Sequence, residues 1–90
     1  MLNELFEIIE ERKANNTEKS YTASLFAEGE DRVLQKVGEE AVEVIIAAKG
    51  QGDQRIIEEI SDLFYHTLVL LSAKDLTLSD VEDELRKRHK

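Results

Sequence analysis

The 90-residue chain has no cysteine, no proline, only four glycines, and no apolar run near the roughly 18 residues a membrane span needs. Without thiols there is no disulfide framework, thiolate metal site or cysteine nucleophile, and a reducing compartment fits. Met1-Leu2-Asn3-Glu4 shows no basic region ahead of a long apolar stretch. No signal peptide is therefore expected, and a soluble cytoplasmic protein is the default. Basic residues are scarce as well, with 12 Lys and Arg against 20 Asp and Glu, for a net charge of −8. Non-specific nucleic-acid affinity comes largely from neutralising phosphates with Lys and Arg, so this balance argues against it. A small phosphorylated ligand stays open, because a divalent ion can bridge carboxylates and phosphates.

What is present is helix-forming. Leu, Ile, Val and Ala supply most of the apolar content, which makes the class all-α. The expected architecture is a small helical bundle of four to five helices in a single domain over residues 1–90. So short a chain builds only a modest core, and the oily run Leu68 to Leu71 adds to the expectation that homodimerisation completes it.

Residues 2–13 predict an amphipathic packing helix with Leu2, Leu5, Phe6 and Ile9 on its apolar face. Ala14 to Lys19 predicts a loop. A short helix around residues 23–27 follows, capped by Ser20 or Thr22 and stopped near Gly29. The third helix runs from residue 30 or 31 to residue 48 or 49, with Val33, Leu34, Val37, Ala41, Val44, Ile45 and Ala48 as its core stripe, and ends at Gly50-Gln51-Gly52. Gly38 inside it costs about 1 kcal/mol relative to Ala, which suggests close packing or close approach of a ligand. Asp53 is expected to cap a fourth helix, from Gln54 to about Ala73, whose second half is oily nearly all round and therefore buried. Thr77 with Asp80 resembles a capping box for a last helix reaching about His89, with Val81 and Leu85 turned inward.

Two acidic runs stand out, Glu39-Glu40-Ala41-Val42-Glu43 and Glu59-Ile60-Ser61-Asp62. At about 100° per residue, Glu39, Glu43 and Glu40 fall at about 0°, 40° and 100°, and Glu59 and Asp62 lie about 60° apart on the next helix. Acidic runs on helices are usually solvated faces. Here, however, Asp62 and His66 share a face on the helix expected to be buried, and an unpaired buried carboxylate is costly. A bound cation removes that cost, and an all-oxygen set suits a hard ion such as Mg²⁺ or Mn²⁺. His66 alone is more often a hydrogen-bonded residue than a ligand and is left outside the shell. Lys36, within the acidic arc, either pairs with Glu40 or reaches a phosphate oxygen. Ser20 and Thr22, beside a helix N-terminus, are further phosphate candidates, though capping is their commoner role.

Glu-Glu-x-x-Glu followed after 15 residues by Glu-x-x-Asp resembles the motif of the MazG-like all-α nucleotide pyrophosphohydrolases. Ser20-Tyr21-Thr22-Ala23-Ser24-Leu25-Phe26 with Gly29, Lys36-Val37-Gly38-Glu39-Glu40-Ala41 with Ala47-Ala48-Lys49, and Asp62 to Leu71 sharpen the likeness to the phosphoribosyl-ATP pyrophosphohydrolase family. That resemblance covers essentially the whole chain, in a form without a cyclohydrolase domain. It implies a homodimeric, Mg²⁺-dependent enzyme that hydrolyses phosphoribosyl-ATP to phosphoribosyl-AMP and pyrophosphate, the second step of histidine biosynthesis. Carried over by position, Glu40, Glu43, Glu59 and Asp62 match the metal-binding acids. Glu39 is a further ligand or the group that orients or deprotonates water, and Lys36, Lys49, Ser20 and Thr22 are candidates for substrate phosphates. The rival readings are a house-cleaning nucleoside triphosphate pyrophosphohydrolase and a non-enzymatic acidic dimerisation module.

Overall fold

A computed structural model describes residues 1–15 and 20–89. Among these, five helices run in order: α1 (Leu2–Ala14), α2 (Tyr21–Glu28), α3 (Glu30–Gly50), α4 (Asp53–Ala73) and α5 (Leu78–Arg88). The all-α expectation holds. Most of the loop predicted from Ala14 to Lys19 lies outside the described residues, and Ala14 itself closes α1.

Local chemistry explains the boundaries. Ser20 Oγ accepts from the Ala23 amide and caps α2, which settles the choice between Ser20 and Thr22. Thr77 and Asp80 close the reciprocal capping box of α5. Asp53 does not cap α4. Gly52, at φ +89°, takes the cap position and places Asp53 inside the first turn, where its charge meets the helix N-terminal dipole.

α3 and α4, each 21 residues long and joined through Gln51-Gly52, share the most extensive helix–helix contact and form a helical hairpin. Lys74 closes its open end by pairing with Glu30 at 2.6 Å. α1 packs on α4, and α2 on α3 and α1. The core gathers at that end, where Ile9, Leu25, Val33, Leu68 and Val69 are buried, with Leu5, Phe6, Phe26, Tyr65 and Leu71 packed around them. Lys13 reaches the Ser72 carbonyl and the Asp75 carboxylate, the latter at 2.7 Å, and ties α1 to the end of α4.

Three packing expectations need correction. On α3, Leu34, Ile45 and Ala48 are exposed, and Ala47 is the buried residue near the C-terminus. α4 is not buried all round, because this chain covers only the face that carries His66, Leu68, Val69 and Ser72. Val81 and Leu85 are not inward: α5 buries no residue, and both line an open apolar groove of about 790 Å³ with Met1, Leu2, Phe64 and Leu71. The common reason is that, among the described residues, the outer apolar face of the hairpin is left exposed and α5 stands off α1 and α4 across the open groove. Gly38 is a related case. A Cβ there would touch nothing within 4 Å, so packing inside the chain does not explain the glycine. No helix among the described residues is long and apolar enough to cross a membrane.

Candidate active site

The hairpin sets the acids of α3 against those of α4. One carboxylate oxygen from each of Glu40, Glu43 and Glu59 lies within 4.8 Å of the others. Glu40 is only 5% exposed and Glu59 only 4%, whereas Glu43 faces solvent. Lys36 pairs with Glu40 Oε1 at 3.3 Å and with Glu39 at 3.5 Å. Arg55 holds Glu59 Oε1 and also pairs with Glu58. The second oxygens, Glu40 Oε2 and Glu59 Oε2, are buried without a hydrogen-bond partner. Each buried carboxylate thus has one oxygen neutralised by a cation and one left over. Leaving such an oxygen unsatisfied is expensive, and an oxygen-coordinated cation removes the expense. The donor set therefore fits a hard divalent ion.

The other residues expected in the site are distributed around this group. Asp62 is exposed rather than buried and stands outside it, one turn further along α4 and on a side chain one methylene shorter than Glu. Glu39 is exposed, pairs with Lys36, and accepts from Gln35 Nε2 at 3.0 Å. Lys49 is exposed in the last turn of α3, about 9 Å along the axis from Glu43. Ser20 is committed to its cap, and the Thr22 hydroxyl is buried against Tyr65 Oη. Burial works to lower the Lys36 ammonium, but the Glu40 hydrogen bond and the negative groups around it outweigh that and hold it above its ordinary value.

Beside Lys36 lies a cluster that sequence spacing does not reveal. His66 is buried, and its Nδ1 donates to the Asp62 carbonyl at 2.8 Å, since a carbonyl only accepts. In the neutral ring Nε2 then accepts the Tyr21 hydroxyl, also at 2.8 Å. The Tyr21 ring stacks on Tyr65 with centroids 6.2 Å apart and meets the His66 edge at 5.7 Å. Burial pushes the Tyr21 phenol above its ordinary value against the opposing charges of Lys36 and Arg32, which stand near enough to act on it. Both nitrogens of His66 are thus occupied within the chain.

The chain matches the model of the Phosphoribosyl-ATP pyrophosphohydrolase family over residues 2–89. The phosphoribosyl-ATP pyrophosphatase of Geotalea daltonii is 53% identical over 88 residues, covering 98% of this chain and 83% of the relative. That of Clostridium acetobutylicum is 52% identical over 89 residues, covering 99% and 81%. The histidine biosynthesis bifunctional protein HisIE of Caldanaerobacter subterraneus subsp. tengcongensis is 51% identical over 90 residues, covering all of this chain but only 44% of the relative. The matched span includes α3 and α4, where the acids converge, and on that extent and identity the chain belongs to the phosphoribosyl-ATP pyrophosphohydrolase family.

Proposed function

We propose that this chain hydrolyses phosphoribosyl-ATP to phosphoribosyl-AMP and pyrophosphate in histidine biosynthesis, by attack of water on the α–β phosphoanhydride with Mg²⁺ among its acids. The observation that carries the metal reading is the pair of buried carboxylates, Glu40 and Glu59, each with an oxygen lacking a partner beside Glu43. These three hold the ion, Mn²⁺ serving as a substitute, and Asp62 is the fourth ligand from the solvent side. When bound, the ion offsets triphosphate charge, polarises the anhydride and activates water. Glu39, exposed at the edge of the group, orients or deprotonates that water. Lys36 shields the acids from one another before substrate arrives and contacts phosphate afterwards. Lys49, Ser20 and Thr22 are secondary phosphate contacts in this scheme, although Ser20 and Thr22 are already hydrogen-bonded within the chain. Positioning and electrostatics supply the rate, and no protein nucleophile is required.

The working unit is a homodimer. The single chain exposes 6239 Å², against roughly 5,400 Å² for a monomer of its mass. Its radius of gyration is 14.1 Å, against about 12 Å for a compact domain of this length. Val42, Ile45, Ile46, Ile57 and Phe64 are each more than half exposed on the hairpin. Light scattering at micromolar concentration is expected to give twice 10.3 kDa, and a particle of the single mass refutes the dimer. For the reaction, pyrophosphate release from phosphoribosyl-ATP is compared with that from dATP, dCTP and dUTP. Preference for any of the latter overturns the assignment.

A further inference from the structure

Along α3, Arg32, Lys36, Glu40 and Glu43 recur at intervals of four, four and three, so two cations lead into two acids within about 100° of arc. Lys36 is committed to Glu39 and Glu40. Arg32 is held only loosely among its described pairings, by Glu28 at 3.8 Å. On α2, which packs against α3, Tyr21 lies within electrostatic reach of Lys36 and Arg32; it is 50% exposed yet fixed by the buried His66 and by stacking on Tyr65. An exposed ring held by the buried His66 and the half-buried Tyr65, within electrostatic reach of a guanidinium, is suited to wall a subsite. With the His66 ring neutral, the Tyr21 hydroxyl donates to Nε2 and keeps its oxygen as an acceptor, which suits a sugar hydroxyl and not a phosphate. The guanidinium is the group for the phosphate, because its planar fork binds phosphate oxygens in pairs.

Arg32 lies eight residues, about 12 Å along the helix axis, from Glu40. In phosphoribosyl-ATP the triphosphate and the second phosphate are separated by two riboses and a purine, a span of the same order. We propose that Arg32, with Tyr21 as its fixed wall, forms the subsite for the phosphate on the second ribosyl group and so distinguishes phosphoribosyl-ATP from ordinary nucleoside triphosphates. The inference rests on the function proposed above and adds the means of substrate selection. Arg32 acts on binding at a distance from the reacting anhydride.

Steady-state kinetics of Arg32→Gln and Arg32→Lys test it, with ATP as a competitive inhibitor lacking the second ribosyl phosphate. Arg32→Gln is expected to raise KM for phosphoribosyl-ATP about tenfold or more, with kcat within about threefold and the ATP inhibition constant unchanged. Arg32→Lys is expected to recover part of the loss, and thermal melts of all three proteins should agree, since the Glu28 pair is solvent-facing. An unchanged KM overturns the inference. So does equal weakening of phosphoribosyl-ATP and ATP, which would assign Arg32 to the triphosphate or to the fold. A wild-type protein that releases no pyrophosphate from phosphoribosyl-ATP overturns the proposed function itself, and the inference with it.

Discussion

Glu40 on α3 and Glu59 on α4 are buried carboxylates in matched circumstances: Lys36 holds one oxygen of the first, Arg55 one oxygen of the second, and neither remaining oxygen has a partner. Two such groups within 4.8 Å of each other and of Glu43 make the metal-free state the strained one. Divalent ion at about 100 times its dissociation constant is therefore expected to add about 2.7 kcal/mol of stability. For a domain of this size that raises Tm by roughly 10 °C or more. Melting curves in Mg²⁺ and in EDTA check this, and chelation should abolish turnover.

Glu59→Gln separates charge from shape. The amide fills the same space and leaves Arg55 its pair with Glu58, so metal-free stability should rise by a few degrees in Tm as buried repulsion is relieved. Turnover should fall by about a hundredfold or more, and the Mg²⁺-dependent rise in Tm should disappear. Circular dichroism melts with and without Mg²⁺, beside the pyrophosphate assay, give both readouts.

Where structure is decided within a few residues, the sequence was a good guide at most helix ends, the expected Asp53 cap of α4 being the exception. Ser20, Gly29, Gly50-Gln51-Gly52 and the Thr77/Asp80 box bound their helices as expected, because caps act over three or four residues. That Glu40 and Glu43 share a face of α3 was legible for the same reason, helical phase being local, whereas the approach of Glu59 depends on how α4 folds back. Tyr21 and His66 are 45 residues apart, and no periodicity announces that pairing. Arg32 was not singled out: it continues the spacing of Lys36, Glu40 and Glu43, but its place relative to Tyr21 depends on how α2 folds back. The burial of Asp62, Val81 and Leu85 was misjudged because an apolar neighbourhood in sequence does not say whether this chain covers it.

The Lys13–Asp75 pair provides a pH test away from the acids of the site. Hydrogen bonding and charge from Lys13 hold the Asp75 carboxyl below its ordinary value. A depressed folded-state value gives stability that is present above the unfolded value of about 3.9 and lost as pH falls through the folded one. Asp75→Asn, which tolerates the residue's φ of +58°, should lower Tm slightly at pH 7. The gap between the two melting curves should close by about pH 2.

Gly38→Ala reports on what approaches α3 from outside. Within the chain the added methyl meets nothing, so helix propensity alone predicts a gain of about 1 kcal/mol. Urea unfolding at submicromolar protein should show that gain. A loss that grows with protein concentration would instead place a second chain against Gly38.

Gly29 ends α2 and begins α3 with no residue between, at φ +102° and with open space around its missing Cβ. The two helices therefore meet at a one-residue elbow whose bend is set by a backbone conformation that side-chain-bearing residues rarely adopt. Tyr21 rides on the far arm of that elbow. The placement of Tyr21 against the acids of α3 is in this sense written into a torsion angle, so a change at Gly29 would move one against the other without altering either.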